Sequence, residues 1–241
     1  MKKQLLIIAL ISLTQPAIFA QTKVYLVPAL HSLHKVNRQY TYDSVQAVIQ
    51  RIRPNVIAVE IRPEDINTDT SYLQQNYPYE MWMMRYWFPA VQVAGFDWLG
   101  NDIAGKPIPP NYWKYTSLIK QLQRNLEADS AMKAKLNRCK NYTDDRMVIL
   151  ENSSLKGIYN SNDAILVKAY YDCLNLQLQN TQYDTLSQFY EKRNKMLQEN
   201  IGRLVQQYPG KTIVVLTGDD HYPYIREYLQ RQKVALPLPP L

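Results

Sequence analysis

Four short apolar runs constrain this chain more than any other feature: Val24–Val27, Val56–Val59, Val93–Phe96 and Ile213–Leu216. They are too short for helices and rich in β-branched residues, the pattern of buried strands. Between the first two, Tyr42, Val45, Val48, Ile49 and Ile52 recur at helical spacing, with Asp43 or Ser44 as the cap and Pro54 as the stop. A strand, a helix and a second strand in about forty residues predict a βαβ unit with a parallel pair and a right-handed crossover. From Pro78 to Phe88 an aromatic and Met-rich helix, stopped by Pro89, leads to the third run. Its Trp82, Trp87 and Phe88 read as core, with a substrate groove as the alternative.

The connector 102–111 carries Pro107, Pro109 and Pro110, and four helical segments follow, roughly 113–128, 131–142, 164–178 and 185–207. The chain then returns to strand, forms a helix from about Tyr224 to Gln232, and ends in a proline-rich extended tail from Leu236. The expected fold class is α/β, a central mainly parallel or mixed sheet with flanking helices. It forms a single domain over residues 21–241 with a helical insertion at about 102–182. Cys139 and Cys173 both fall in the helical middle. The sequence leaves open whether they are bridged, because it does not give their Cα separation.

Lys2 and Lys3, the apolar stretch Leu5–Ile11 and Ala17-Ile18-Phe19-Ala20 have the form of a secretory signal peptide cleaved after Ala20. The apolar stretch is too short to span a bilayer comfortably, so the expected location is periplasmic or secreted. The net charge of +7 falls to +5 once Lys2 and Lys3 leave with the leader. Without an Arg/Lys stripe, that charge argues for solubility and attraction to anionic surfaces rather than for a nucleic-acid partner. The seven glycines form neither a dinucleotide fingerprint nor a phosphate-binding loop, and no zinc-protease or serine-hydrolase motif occurs.

Ligands of open α/β sheets bind outside the carboxyl ends of the strands. Here the first strand leads to Pro28-Ala29-Leu30-His31, the second ends at Glu60, the third at Asp97, and the fourth leads to Gly218-Asp219-Asp220-His221. All three histidines, His31, His34 and His221, lie in these strand-end segments. His34 is expected on the loop surface. On the last long helix of the middle region, Arg193 falls on the apolar stripe of Leu186, Tyr190, Leu197 and Ile201. It either snorkels to solvent or reaches a carboxylate or an anionic substrate in the cleft.

The order strand-xxx-His31, strand-Glu60, a helical middle, Arg193-Asn194-x-Met196 and strand-Gly218-x-x-His221 resembles the TraB/PrgY/TIKI superfamily, which also takes in GumN, erythromycin-esterase-like and ChaN-like proteins. The resemblance runs from about Val24 to Leu229. The family pattern has two Gly-x-x-His motifs; Gly218 and His221 match the second, whereas Pro28 stands where the first requires Gly. The resemblance implies a hydrolase of peptide or ester bonds, with a small-molecule or peptide substrate, that is metal-dependent or metal-like. His31, His221 and Glu60 would hold a Mn, Co or Zn ion, or Glu60 or a His would act as general base without one. Arg193 would stabilise an oxyanion or anchor a carboxylate. Asp97, Asp219, Asp220 and Asn194 are candidates for further ligands or for orienting a histidine or the substrate. The alternative is a non-catalytic haem- or ligand-binding protein or scaffold of the same fold.

Overall fold

A computed structural model describes residues 21–240, so the expected leader lies outside the described residues. The elements that build the sheet begin with β1 (Lys23–Ala29), α1 (Tyr42–Ile52) and β2 (Val56–Val59). Two short helices, α2 (Thr70–Asn76) and α3 (Tyr79–Trp87), lead to β3 (Gln92–Gly95). The helical middle comprises α4 (Leu118–Ala128), α5 (Ser130–Leu136), α6 (Lys140–Asn152), α7 (Leu155–Asn160), α8 (Asp163–Leu178) and α9 (Asp184–Gln207). β4 (Thr212–Gly218) and α10 (Tyr222–Arg231) close the fold.

All pairings in the sheet are parallel, in the order β1-β4-β2-β3. The fold class is therefore α/β as expected, but β1 and β2 do not form the parallel pair that the βαβ reading predicts. Leu216 of β4 stands opposite Val27 on one side and Val59 on the other, so the last strand lies between the first two. The physical reason is burial: Ile213–Leu216 and Val56–Val59 are continuously apolar and buried, and they take the two central positions, with neighbours on both sides and both faces covered.

Alternation along the strands divides the core. Val27, Ile57, Val59, Val214 and Leu216 face α1 and α3 through Val45, Ile49, Met81 and Met84. Val24, Leu26, Ala58, Ile213 and Val215 face α9 and α10 through Leu197, Ile201, Ile225 and Leu229. Trp82 of the aromatic helix is buried with this core, the first of its two readings. α1 is capped by Thr41, which accepts from the Ser44 backbone N–H while Ser44 caps in return, so Ser44 is the third residue of the box and Thr41 its cap. The helix stops at Arg53, whose φ of 52° is left-handed, because the residue before Pro54 is driven out of helical geometry.

The helical middle holds a third cluster, Met132, Leu174, Leu178, Tyr183 and Leu186. α9 contributes Leu186 to this cluster and Leu197 and Ile201 to the sheet core, so one 24-residue helix ties the insertion to the sheet. Two helices were not legible in the sequence, α2 and α7, and the segment expected at 131–142 divides between α5 and the start of α6. Cys139 and Cys173 are joined, with Cα atoms 5.8 Å apart, which fastens the start of α6 to α8. Their 34-residue separation closes a loop for which chain entropy predicts a stabilisation of about 2–4 kcal/mol. Reduction should add two hydrogens to the intact mass. The double variant Cys139→Ser/Cys173→Ser should unfold at lower denaturant concentration by that amount; unchanged stability would show that the loop is already ordered without the bridge.

Candidate functional site

The carboxyl ends of all four strands open into a cleft of about 450 Å3 lined by His31, Glu60, Asp97, Arg193, Gly218 and His221, among others. Glu60 follows β2 and lies beside the end of β4. Its Oε1 accepts the Gly218 backbone N–H at 2.8 Å and the Thr217 hydroxyl. Burial works against charge on Glu60, but His221, Arg193, His31 and the Thr217 hydroxyl hold its pKa below the usual carboxylate value. A Cβ added to Gly218 would stand 3.0 Å from His31 Nε2 and 3.5 Å from Glu60 Oε2, so the absence of a side chain lets this imidazole and carboxylate meet over the strand end.

His31 adopts a left-handed φ of 51°, a conformation non-glycine residues rarely take. Three contacts hold it there. The Asp219 N–H donates to Ala29 O at 3.0 Å, Tyr42 Oη donates to His31 O at 2.9 Å, and His31 Nδ1 meets Glu80 Oε1 at 2.6 Å. Burial opposes a charge on His31, yet the Glu80 bond and the charges of Glu80, Glu60 and Asp219 outweigh it and raise the pKa to about 9. His221 is the opposite case: burial pushes it down to about 4. Its Nδ1 meets Asn194 Oδ1 at 2.6 Å, so Nδ1 carries the proton and Nε2 keeps its lone pair.

Arg193 does not snorkel. It reaches across the cleft to Asp97, with Nε and Nη2 donating to Oδ1 at 3.1 and 2.9 Å and Nη2 also to Oδ2 at 3.0 Å. The same Nη2 lies 3.7 Å from Glu60 Oε2. A guanidinium at the border of an apolar stripe thus finds two carboxylates on strand ends.

Asp219 and Asp220 do not orient a histidine. Both accept from Arg146 of α6, which also donates to Asp163 at 2.9 Å and to Asp220 at 2.6 Å. The orienting partners are Asn194 for His221 and Glu80 for His31. Glu80 and Arg146 were missed in the sequence. Glu80 is the one carboxylate in an otherwise aromatic and Met-rich helix, in the first turn where the helix dipole favours negative charge, and it is wholly buried with Oε2 unpartnered. That isolation is the signal that could have singled it out. Arg146 lay beyond the end assigned to its helix. His34 is corrected as well. It is buried rather than on the loop surface, taking the Leu30 N–H on Nε2 at 2.9 Å and giving Nδ1–H to Tyr40 O at 2.7 Å, so both nitrogens serve the loop.

The cleft brings together His31, His221 and Glu60, the set expected to hold a metal. As arranged they do not fit a divalent ion. His31 Nδ1 is taken by Glu80 at 2.6 Å, and the Arg193 guanidinium lies against both Glu60 and Asp97, where an ion would have to sit. Among the described residues no group of three or more His, Cys, Asp or Glu is placed to hold an ion. No helix among the described residues is long and apolar enough to cross a membrane.

No family model, curated protein or solved structure matches the chain.

Two outcomes follow from the geometry. Glu80→Gln should drop the His31 pKa from about 9 toward its ordinary 6.5, read by NMR titration of the imidazole; a value that stays at about 9 would assign the charge to Glu60 and Asp219 instead. Arg146→Met leaves three carboxylates without their cation and should cost about 3 kcal/mol or more in denaturant unfolding.

Proposed function

We propose that the chain is an exported hydrolase that cleaves an ester or peptide bond at the carboxyl ends of its strands, in the manner its resemblance to the TraB/TIKI proteins implies. One observation carries this reading: two imidazoles, one with its pKa raised by Glu80 and one with its pKa lowered by burial, a buried carboxylate and a guanidinium, from four distant parts of the chain, line one cleft. A scaffold needs none of these, and burying them costs stability unless they act or pair.

His221 is the general base. Asn194 fixes its tautomer, and Nε2 accepts a proton from a water molecule as that water attacks the substrate carbonyl. Arg193 and the His31 imidazolium stabilise the negative charge that develops on the carbonyl oxygen. Arg193 is held rigid by Asp97, and its Nη1 makes no hydrogen bond among the described residues, which leaves it for the substrate. Glu60 lies 3.7 Å from Arg193 Nη2 and is itself fixed by β4. The acyl carbon–oxygen or carbon–nitrogen bond breaks as the proton on His221 passes to the leaving group. No step is routed through a metal. The Cys139–Cys173 bridge supports an oxidising compartment, as the leader does.

The test is a hydrolysis screen over p-nitrophenyl esters and fluorogenic peptides with wild type and His221→Ala. The variant should lose about 100- to 10,000-fold in kcat/KM while its melting temperature stays near that of wild type. In wild type, kcat/KM should rise with pH through about 4 as His221 loses its proton, and fall through about 9 as His31 loses its own. Equal turnover by wild type and His221→Ala would remove His221 as the base, and no turnover of any ester or peptide by wild type would remove the hydrolase reading in favour of a binding scaffold.

A further inference from the structure

The catalytic cleft does not end at the strand tips. Tyr171 of α8 and Tyr190 of α9 stand with ring centroids 5.6 Å apart, and Gln123 of α4 donates to Tyr190 Oη. These three side chains and Lys120 line the cleft, and the same four also line a second cavity of about 500 Å3 inside the helical insertion. Its floor is Leu174, Leu178 and Leu186, with Leu126 and Leu136 on its walls and Lys120 and Lys133 at its rim. The two spaces therefore share a wall made of side chains rather than backbone, two tyrosines and a glutamine, with Tyr171 Oη donating to Asp220 Oδ2 at 3.0 Å. Each is of the size that takes a small molecule, about 300–1,000 Å3.

The apolar residues of this second cavity belong to the core cluster of the insertion or pack against it. Leu174, Leu178 and Leu186 pack with Met132 and Tyr183 on one side while still facing the cavity on the other. The rim carries two lysines against the single acid Glu127, which suits a neutral or anionic group and repels a cationic one.

We propose that this cavity is the acyl-chain subsite of the catalytic cleft: it takes the unbranched apolar chain of a carboxylic ester whose carbonyl sits between His221 and Arg193. The inference rests on the hydrolase reading and adds the substrate class to it. The chain passes the Tyr171–Tyr190 pair and lies on the leucine floor; one proton of the attacking water goes through His221 to the departing alcohol, and the carboxylic acid that forms releases the other to solvent and leaves as a carboxylate. Lys120, shared by both spaces, stands where it attracts that carboxylate product.

The experiment separates the subsite from the chemistry by measuring binding as well as turnover. Isothermal titration of the full mature chain with sodium acetate, butyrate, octanoate and decanoate reads the subsite without catalysis. Octanoate should bind on the order of a hundredfold more tightly than acetate, from the methylenes removed from water. Leu136→Glu, at the half-buried wall of the cavity, should abolish that preference, and Leu136→Met should restore it. p-Nitrophenyl octanoate should have a lower KM than p-nitrophenyl acetate in wild type and not in Leu136→Glu. Chain-length-dependent binding with no ester turnover would keep the subsite and overturn the hydrolase reading. Turnover of esters with no chain-length dependence in either binding or KM would keep the hydrolase and overturn the subsite, as would a preference that survives Leu136→Glu.

Discussion

A carboxylate buried at the end of a parallel sheet must find hydrogen-bond donors or lose its charge, and Glu60 finds them on the strand that arrives last. Thr217 and the Gly218 N–H, both on β4, complete its Oε1, while Arg193 of α9 approaches Oε2. The contact spans more than 150 residues of sequence, so it forms only when β4 has entered between β1 and β2. Everything else at the cleft depends on that insertion. It sets Gly218 under His31, places His221 at the head of α10, and gives the first loop its link from the Asp219 N–H to Ala29 O.

Around Glu60 the charges alternate in sign through the cleft, from Glu80 to His31, then Glu60, Arg193 and Asp97. His31 is paired with Glu80, and Arg193 with Glu60 and Asp97, while His221 stands beside them with Nδ1 on Asn194. Arg146 continues the same logic at the edge. It draws Asp163 of the insertion and Asp219 and Asp220 of the β4–α10 turn onto one guanidinium, and the disulfide fastens the start of its helix to α8. The helical insertion is thereby tied to the residues that directly precede His221. Its position over the strand ends is fixed by charge as well as by the apolar contacts of α9.

The strands and the placement of His31, Glu60, Asp97 and His221 at their ends were legible because a buried strand is a local pattern and the residue after it follows automatically. Arg193 was legible as an anomaly on an apolar stripe, although not its partner Asp97, which lies 96 positions away. Strand order was not legible: pairing is decided by which run tolerates two neighbours, and nothing local to Val24–Val27 or Val56–Val59 reveals that β4 will come between them. Glu80 and Arg146 escaped for a related reason. Each looks like an ordinary helical charge until the tertiary fold buries it. His34 was misjudged because a loop histidine can be consumed entirely by backbone groups, here Leu30 N–H and Tyr40 O.

The departure at Pro28 has a physical resolution in the same loop. A glycine in the first motif would supply conformational freedom before the histidine; here Pro28 is a regular residue of β1, opposite Thr217, and its carbonyl accepts from Tyr40 Oη at 2.8 Å. The unusual backbone conformation is carried by His31 itself, at φ 51°. A non-glycine residue in that region costs roughly 1–3 kcal/mol and persists only where its surroundings over-determine it. Glu80, Tyr42 and the Asp219 N–H do so from three separate elements. Strain is thus concentrated on the residue whose side chain must face Glu60, and a loop held in this way presents its imidazole in one orientation before any ligand arrives. Pre-set geometry of that kind is what a polar catalytic site needs, since dipoles already in place do not have to reorganise as charge develops on the substrate.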